Sequence, residues 1–368
     1  MAKRTQISAL DFLRTGPTQY INRSHVIRDA GKYVAQWGKR ALISGGKRAL
    51  AVSAKQLSHS LPGAGVKAET LLFQGECSPA NIAKIKTTAE RFKADVIIGV
   101  GGGKSLDAAK QAAVELGLPA VCVPTIAATC AATTALTVVY DDSGVFLRYH
   151  IHPRNPSLVL VDPEIITRSP GIYLRAGIMD SLAKLYEGRA VQPSVKNPDL
   201  PTAAAFQLAD VLYKGHRKHA IGGVRANTAH RVDNALIQTL DITILLTGMI
   251  QTLGKGTLFT GLAHPVHNGL TLMPESHDIL HGLKVGYGIM VQLCVQKCSQ
   301  QEFDDALAFF RKLGLEPSLA GLKLPSDRET LLRVAAKAAN DPDIGPVNFR
   351  FSTKIVAAAM FELERRLA

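Results

Sequence analysis

Four of the eleven histidines fall in the run AHPVHNGLTLMPESHDILHG, at His264, His267, His277 and His281. Neutral imidazole is the commonest biological ligand for a divalent metal, and a catalytic metal site needs few protein ligands plus an open position. The spacings let His264 and His267 share one helix face, and His277 and His281 another. His277, beside Ser276 and Asp278, is expected at the surface. His281 and Gly282 immediately precede an apolar helix, a good place for a ligand aimed into a cleft. Upstream, Asp180 sits among apolar residues in the helical stretch from Ala176 to Glu187. A buried aspartate needs a cation or donors to hold its charge, so Asp180 is either a metal ligand or half of a surface i,i+4 ion pair with Lys184.

A second constellation runs from Ile98 to Asp107, IGVGGGKSLD, and passes from an apolar strand into a helix. Gly101, Gly102 and Gly103 let the backbone approach a phosphate. The helix start adds unpaired N–H groups and a favourable dipole, and Lys104 adds a cation. Ile98 stands where a P-loop has its first glycine, and Lys104 replaces the last glycine of the usual dinucleotide fingerprint, so neither better-known loop applies. After the first strand come Gly45, Gly46, Lys47 and Arg48. An acidic residue there would hold ribose hydroxyls and repel a 2′-phosphate. Glycines and cations favour NADP over NAD, with a plain surface turn as the competing reading. Together the two constellations point to metal-assisted chemistry with a nucleotide cofactor.

Positioning them requires two kinds of scaffold. Residues 41–44, 70–73, 96–99, 120–123 and 158–161 read as buried strands, with helical stretches at 78–92 and 105–116 between them. That alternation predicts parallel strands with crossover helices. Strand signals nearly vanish after Pro163; helices are expected at 172–190, 203–213, 231–253, 282–299, 304–313 and 329–339, and from Ser352 onward. The boundary falls near Asp162 and Pro163, giving domains at residues 1–162 and 163–368.

Composition narrows the class further. The 368 residues are 46% hydrophobic and 20% charged, enough for two cores and against disorder. No apolar run is read as long enough to span a bilayer, and residues 1–17 lack the apolar stretch of a signal peptide. The five cysteines match no zinc-ribbon spacing and suit reduced cytoplasmic thiols. The net charge of +13 raises nucleic-acid binding. Yet the cations are scattered, and the densest run, Lys214 to His219, reads as a solvated helix end or loop. A positive field also draws in anionic cofactors and substrates.

The segments 99–110 (GVGGGKSLDAAK), 123–129 (VPTIAAT), 176–180 (AGIMD), 263–269 (AHPVHNG) and 281–284 (HGLK) resemble, in order and separation, the iron-containing alcohol dehydrogenase superfamily in its glycerol dehydrogenase-like branch. The resemblance implies an α/β N-terminal nucleotide-binding domain and an all-α C-terminal domain, the dehydroquinate synthase-like architecture of group III alcohol dehydrogenases, with a metal in the cleft. It implies Asp180, His264 and His281 as ligands and His267 nearby, either supporting a ligand from behind or relaying a proton. It places Gly103, Lys104, Thr125, Thr134, Leu136 and Tyr140 along the nucleotide. The iron-binding branch has a fourth ligand where this chain has Lys184. Three protein ligands suit zinc, with iron, nickel or manganese as alternatives set by supply.

Two departures bear on specificity. The family's NAD-selecting aspartate falls at Gly46, which agrees with the charge reading above and favours NADP. A substrate-contacting aspartate of glycerol dehydrogenases falls at Cys130, and residues 123–132 are closer to a hydroxycarboxylate dehydrogenase. A thiol cannot accept two strong hydrogen bonds from a polyol, and removing an anion suits a carboxylate substrate. Cys130 is expected to line the pocket; a metal ligand or a redox switch are the other readings. The expected reaction is hydride transfer between NAD(P)(H) and a small secondary alcohol or ketone, first a 2-hydroxy or 2-oxo carboxylate. Glycerol with NAD is the alternative, and a related metal- and NAD-dependent synthase the remoter one. A cytoplasmic homo-oligomer acting on small molecules is expected, with no nucleic-acid or membrane partner.

Overall fold

Short runs of valine, isoleucine and leucine become parallel strands here because helices carry most of the crossovers. In order these are β1 (Gln19–Asn22), α1 (Ala30–Val34), β2 (Arg40–Gly46), α2 (Lys47–Gly63), β3 (Lys67–Phe73), α3 (Pro79–Phe92), β4 (Val96–Gly101), α4 (Gly103–Glu115), β5 (Ala120–Pro124), β6 (Leu136–Tyr140), β7 (Phe146–Ile151) and β8 (Leu158–Val161). The computed structural model describes residues 15–255 and 259–368; the leader reading of residues 1–17 thus lies mostly outside the described residues. Strand order is β1-β8-β5-β4-β2-β3, every neighbouring pair parallel. Ile43 and Ile98 pack on one face with residues of α1 and α2, while Leu42 and Ile97 pack on the other with α3 and α4. Burial on both faces explains why these strands read as continuous apolar runs.

From β2 the chain crosses to β3 on one side, returns past β2 to β4, and continues to β5 on the other side. The order reverses between β2 and β4, and open α/β sheets bind ligands in the crevice at such a point, beyond the carboxyl ends of the strands. Gly45 lies opposite Val100 there, and Gly101 opposite Pro124. The antiparallel hairpin of β6 and β7 was not legible in the sequence, because β7 is exposed along almost its whole length and shows no alternation.

Beyond β8, Asp162 caps α5 (Pro163–Ile166), and no strand follows among the described residues. Next come α6 (Gly171–Val191), α7 (Leu200–Thr228), α8 (Asn234–Leu240), a π-helical stretch (Asp241–Leu246), α9 (Thr247–Leu253), α10 (Ala263–Leu270), α11 (His281–Gln296), α12 (Gln300–Lys312), α13 (Leu319–Leu322), α14 (Arg328–Ala339) and α15 (Thr353–Leu367). The fold is therefore a parallel α/β region followed by a helical region.

Two expectations need correction. The basic run Lys214 to His219 is neither a helix end nor a loop but the middle of α7, and His216 is fully buried with its Nε2 2.5 Å from Ser181 Oγ. Residues 234–253 are in fact long and apolar enough to cross a bilayer by composition alone. Just over half of that window is buried inside the protein, and Asp241 within it accepts hydrogen bonds from Tyr20 and Asn22.

Glycines set how closely α6, α10 and α11 meet. A Cβ on Gly282 would stand 1.8 Å from the Ala176 carbonyl oxygen, and one on Gly288 2.2 Å from that of Ala263. Replacing Gly282 by alanine must therefore push α11 off α6. We expect Gly282→Ala to lose about 1–3 kcal/mol in denaturant unfolding and to weaken metal retention. Gly63→Ala, whose added Cβ meets nothing within 4 Å, serves as the control.

Candidate metal and nucleotide site

Asp180 lies mid-way along α6, His264 is the second residue of α10, and His281 opens α11. The three helices bring one donor atom of each residue within 4.8 Å of the others. Asp180 Oδ1 is 3.1 Å from His281 Nε2 and 3.4 Å from His264 Nε2. Two ligands each about 2.1 Å from one tetrahedral ion stand roughly 3.4 Å apart, so the spacing matches a divalent centre.

The far sides of both imidazoles are already occupied. His264 Nδ1 is 2.6 Å from Oε2 of Glu187, whose Oε1 accepts the His264 backbone N–H at 3.0 Å; Glu187 is fully buried. His281 Nδ1 is 3.0 Å from His267 Nε2. His267 Nδ1 faces Asn268 Oδ1, and Asn268 donates to Asp341. Both Nε2 atoms are thus aimed at Asp180, the arrangement in which outer partners orient metal-binding histidines. The donor set fits a divalent metal.

Electrostatics follow from this packing. Burial works against a charged Asp180, but His281 and His264 outweigh it and hold the carboxyl well below its usual range. Burial also works against a charged His264; the carboxylates of Glu187 and Asp180 prevail and raise the imidazole to about 9. His267 has no such carboxylate, and burial, with the charges of His281, Lys284 and His264, holds it well below its usual value. Lys284, one turn beyond His281, donates to the Ser276 carbonyl and is brought down to about 8 by burial.

The surface ion pair expected between Asp180 and Lys184 does not form. Asp180 is only 6% exposed and Lys184 7%, and the Lys184 ammonium donates to Gln251 Oε1 instead. His277 is exposed, as expected, but it follows a separate short turn (Pro274–Ser276) and shares no helix face with His281. Cys130 lies near enough for the Asp180 charge to be felt, yet its sulfur is not part of the three-residue donor cluster. Burial foremost, then Asp180, pushes the thiol up to about 12, so it is a neutral thiol. A resting thiolate switch is not what the fold builds.

The glycine loop is placed as the sequence predicts, between β4 and α4 at the crevice. Gly101 has φ +142°, and a Cβ on Gly102 would come 2.7 Å from Ile126 Cδ1. The 124–131 segment therefore packs directly over the loop, with Thr125 N–H donating to Gly101 O. Gly46 ends the neighbouring strand, and Lys47 and Arg48 open α2 on the exposed side. Lys104 is exposed and paired with Glu76. Thr125 and Thr134 are buried, and Leu136 and Tyr140 begin and end β6.

Two groups were missed in the sequence. Lys110 is fully buried, salt-bridged to Asp107, and donates to the carbonyls of Ala131, Thr134 and Leu136, tying the segment that carries Thr134 and Leu136 to α4. Glu187 stands seven residues beyond Asp180, two turns along one helix face, a spacing that could have marked it.

Over 333 residues the chain is 34% identical to a glycerol dehydrogenase of Escherichia coli O6:H1, covering 90% of each protein. This chain belongs to the iron-containing alcohol dehydrogenase family. Residues 17–163 also match the family model described as iron-containing alcohol dehydrogenase. Hydroxycarboxylate dehydrogenase A of Escherichia coli K12 is 39% identical over 255 residues, 69% of each chain. The crystal structure of a probable glycerol dehydrogenase from Sinorhizobium meliloti 1021 superposes with a TM-score of 0.87 at 28% identity, covering 96% of this chain and 98% of that one. The chain is thus an alcohol oxidoreductase whose family implies a nicotinamide cofactor and a divalent metal.

If Glu187 orients His264, removing its charge weakens the centre without dismantling the fold. Glu187→Gln is expected to lower metal affinity about 10–100-fold in a competitive chelator titration. Unchanged affinity would refute the orienting role.

Proposed function

We propose that the chain catalyses metal-dependent hydride transfer between a nicotinamide nucleotide, held at the glycine crevice of residues 1–162, and a small alcohol held at the ligand cluster of residues 163–368. The observation that carries this is the convergence of Asp180, His264 and His281 from three helices, beside the Cys130 segment that also covers the glycine loop. In the oxidative direction the substrate C–H bond breaks with its electron pair passing to the nicotinamide ring. The hydroxyl proton leaves to solvent, giving carbonyl product, NAD(P)H and one proton. A divalent metal, for which zinc is the first choice, supplies Lewis acidity to the substrate oxygen when bound. Asp180, His264 and His281 hold it, and Glu187 and His267 orient the imidazoles. His267, the relay candidate, has its Nε2 engaged by His281 and its Nδ1 by Asn268, so we assign it the orienting role.

For the nucleotide we favour NADP. A Cβ on Gly46 would meet nothing within 4 Å, leaving room for a 2′-phosphate, and Lys47 and Arg48 follow at once. For the substrate, the relatives reverse the order expected from the sequence. The Escherichia coli O6:H1 and Sinorhizobium meliloti proteins are both named glycerol dehydrogenases, so glycerol with its hydroxy-ketone product becomes the first reading. A 2-hydroxy or 2-oxo carboxylate is the second, kept on the neutral Cys130 wall. A cytoplasmic homo-oligomer remains part of the proposal; the five cysteines are free thiols.

Metal-loaded protein should oxidise NADPH in the presence of hydroxyacetone or pyruvate and lose that activity to a chelator. No nicotinamide turnover with any small carbonyl would sink the reading. Restoring an acidic residue by Gly46→Asp should lower the kcat/KM ratio of NADPH to NADH about tenfold or more, by repulsion of the 2′-phosphate. An unchanged ratio would remove Gly46 from cofactor selection.

A further inference from the structure

Lys184 is a buried cation beside the cleft for which the reaction above finds no use. It stands one turn from Asp180 on the same face of α6, and its only hydrogen-bond partner among the described residues is the uncharged Gln251. No carboxylate among the described residues lies within 4.0 Å of it. Asp180, four positions earlier, is engaged with His264 and His281; Glu187, three positions later, is engaged with His264. Lys184 nevertheless lies on the Asp180 face of α6, buried beside the ligand cluster, and its charge is felt at both His264 and Cys130. A buried ammonium without a counter-ion is unfavourable, and an anion that arrives beside it gains correspondingly.

The wall next to it strengthens the case. Cys130 supplies a neutral thiol near it in place of a carboxylate. Side chains one turn apart are separated along the helix by about 5.4 Å. A 2-oxo acid carries its carboxylate on the carbon next to its carbonyl, so two such side chains can engage both groups of one small molecule.

We propose that Lys184 is a specificity-determining residue that receives the carboxylate of a 2-oxo or 2-hydroxy carboxylate, while the carbonyl or hydroxyl oxygen faces Asp180, His264 and His281. This rests on the dehydrogenase reading and extends it to the second of its two substrate classes.

The test uses the metal-loaded enzyme and two readouts. Calorimetry with oxamate, a non-reacting analogue of a 2-oxo acid, needs no turnover. Lys184→Met should weaken its binding about tenfold or more, and Lys184→Arg, which keeps the charge, should retain most of it. The second readout is the kcat/KM ratio of pyruvate to hydroxyacetone, which differ only in carboxylate against hydroxymethyl. That ratio should fall about tenfold or more in Lys184→Met. It should also fall in Cys130→Asp, which leaves Lys184 in place but sets an anion beside it. No oxamate binding by the unaltered enzyme, equal affinity in Lys184→Met, or a ratio unmoved in both variants overturns the assignment. Failure of every carbonyl to turn over would instead count against the dehydrogenase reading, and the calorimetry would still decide the role of Lys184.

Discussion

The candidate site depends above all on how near α11 comes to α6 and α10. Helices with ordinary side chains at the contact pack with axes about 8–10 Å apart. Here the contact positions on α11 are Gly282, Gly286 and Gly288, set against Ala176, Met179 and Ala263. These positions flank the ligands: Gly282 follows His281, Ala176 and Met179 precede Asp180, and Ala263 precedes His264. The same backbone approach that packs the helical core therefore brings the donor atoms together. A bulkier contact would leave each histidine on its helix and dissolve the cluster.

That closeness has an electrostatic consequence. Asp180 and Glu187, both buried on α6, face the metal-site histidines, and His264 lies between them with one ring nitrogen turned toward each. Neither lysine on the nearby turns relieves them: Lys184 bonds an amide and Lys284 a backbone carbonyl. The site thus pairs its carboxylates with imidazoles and leaves its two lysines on uncharged acceptors. Such an arrangement is costly in a protein interior and is typical of sites built for a ligand.

The fold was legible wherever burial dictated the pattern. The strand cores at 41–44, 96–99, 120–123 and 158–161 are buried and were read directly from their apolar runs. β7 was not, because its residues face solvent and carry no alternation, and the length of α7 was missed because the charges around Gly215 suggested an end. At the site, the density of histidines marked the segment 264–281, the family resemblance selected His264 and His281 within it, and the glycine run marked the crevice. Lys110 and Glu187 escaped because their partners, three backbone carbonyls and His264, lie 21–26 and 77 residues away in sequence.

The most direct test of the central claim is anomalous diffraction from crystals of the active enzyme, recorded at the absorption edge of the metal it retains. We expect one peak per chain, about 2.0–2.2 Å from Asp180 Oδ1, His264 Nε2 and His281 Nε2. A peak elsewhere, for instance at the exposed His277, or no peak in active crystals, would contradict the assignment of these three residues as the metal centre.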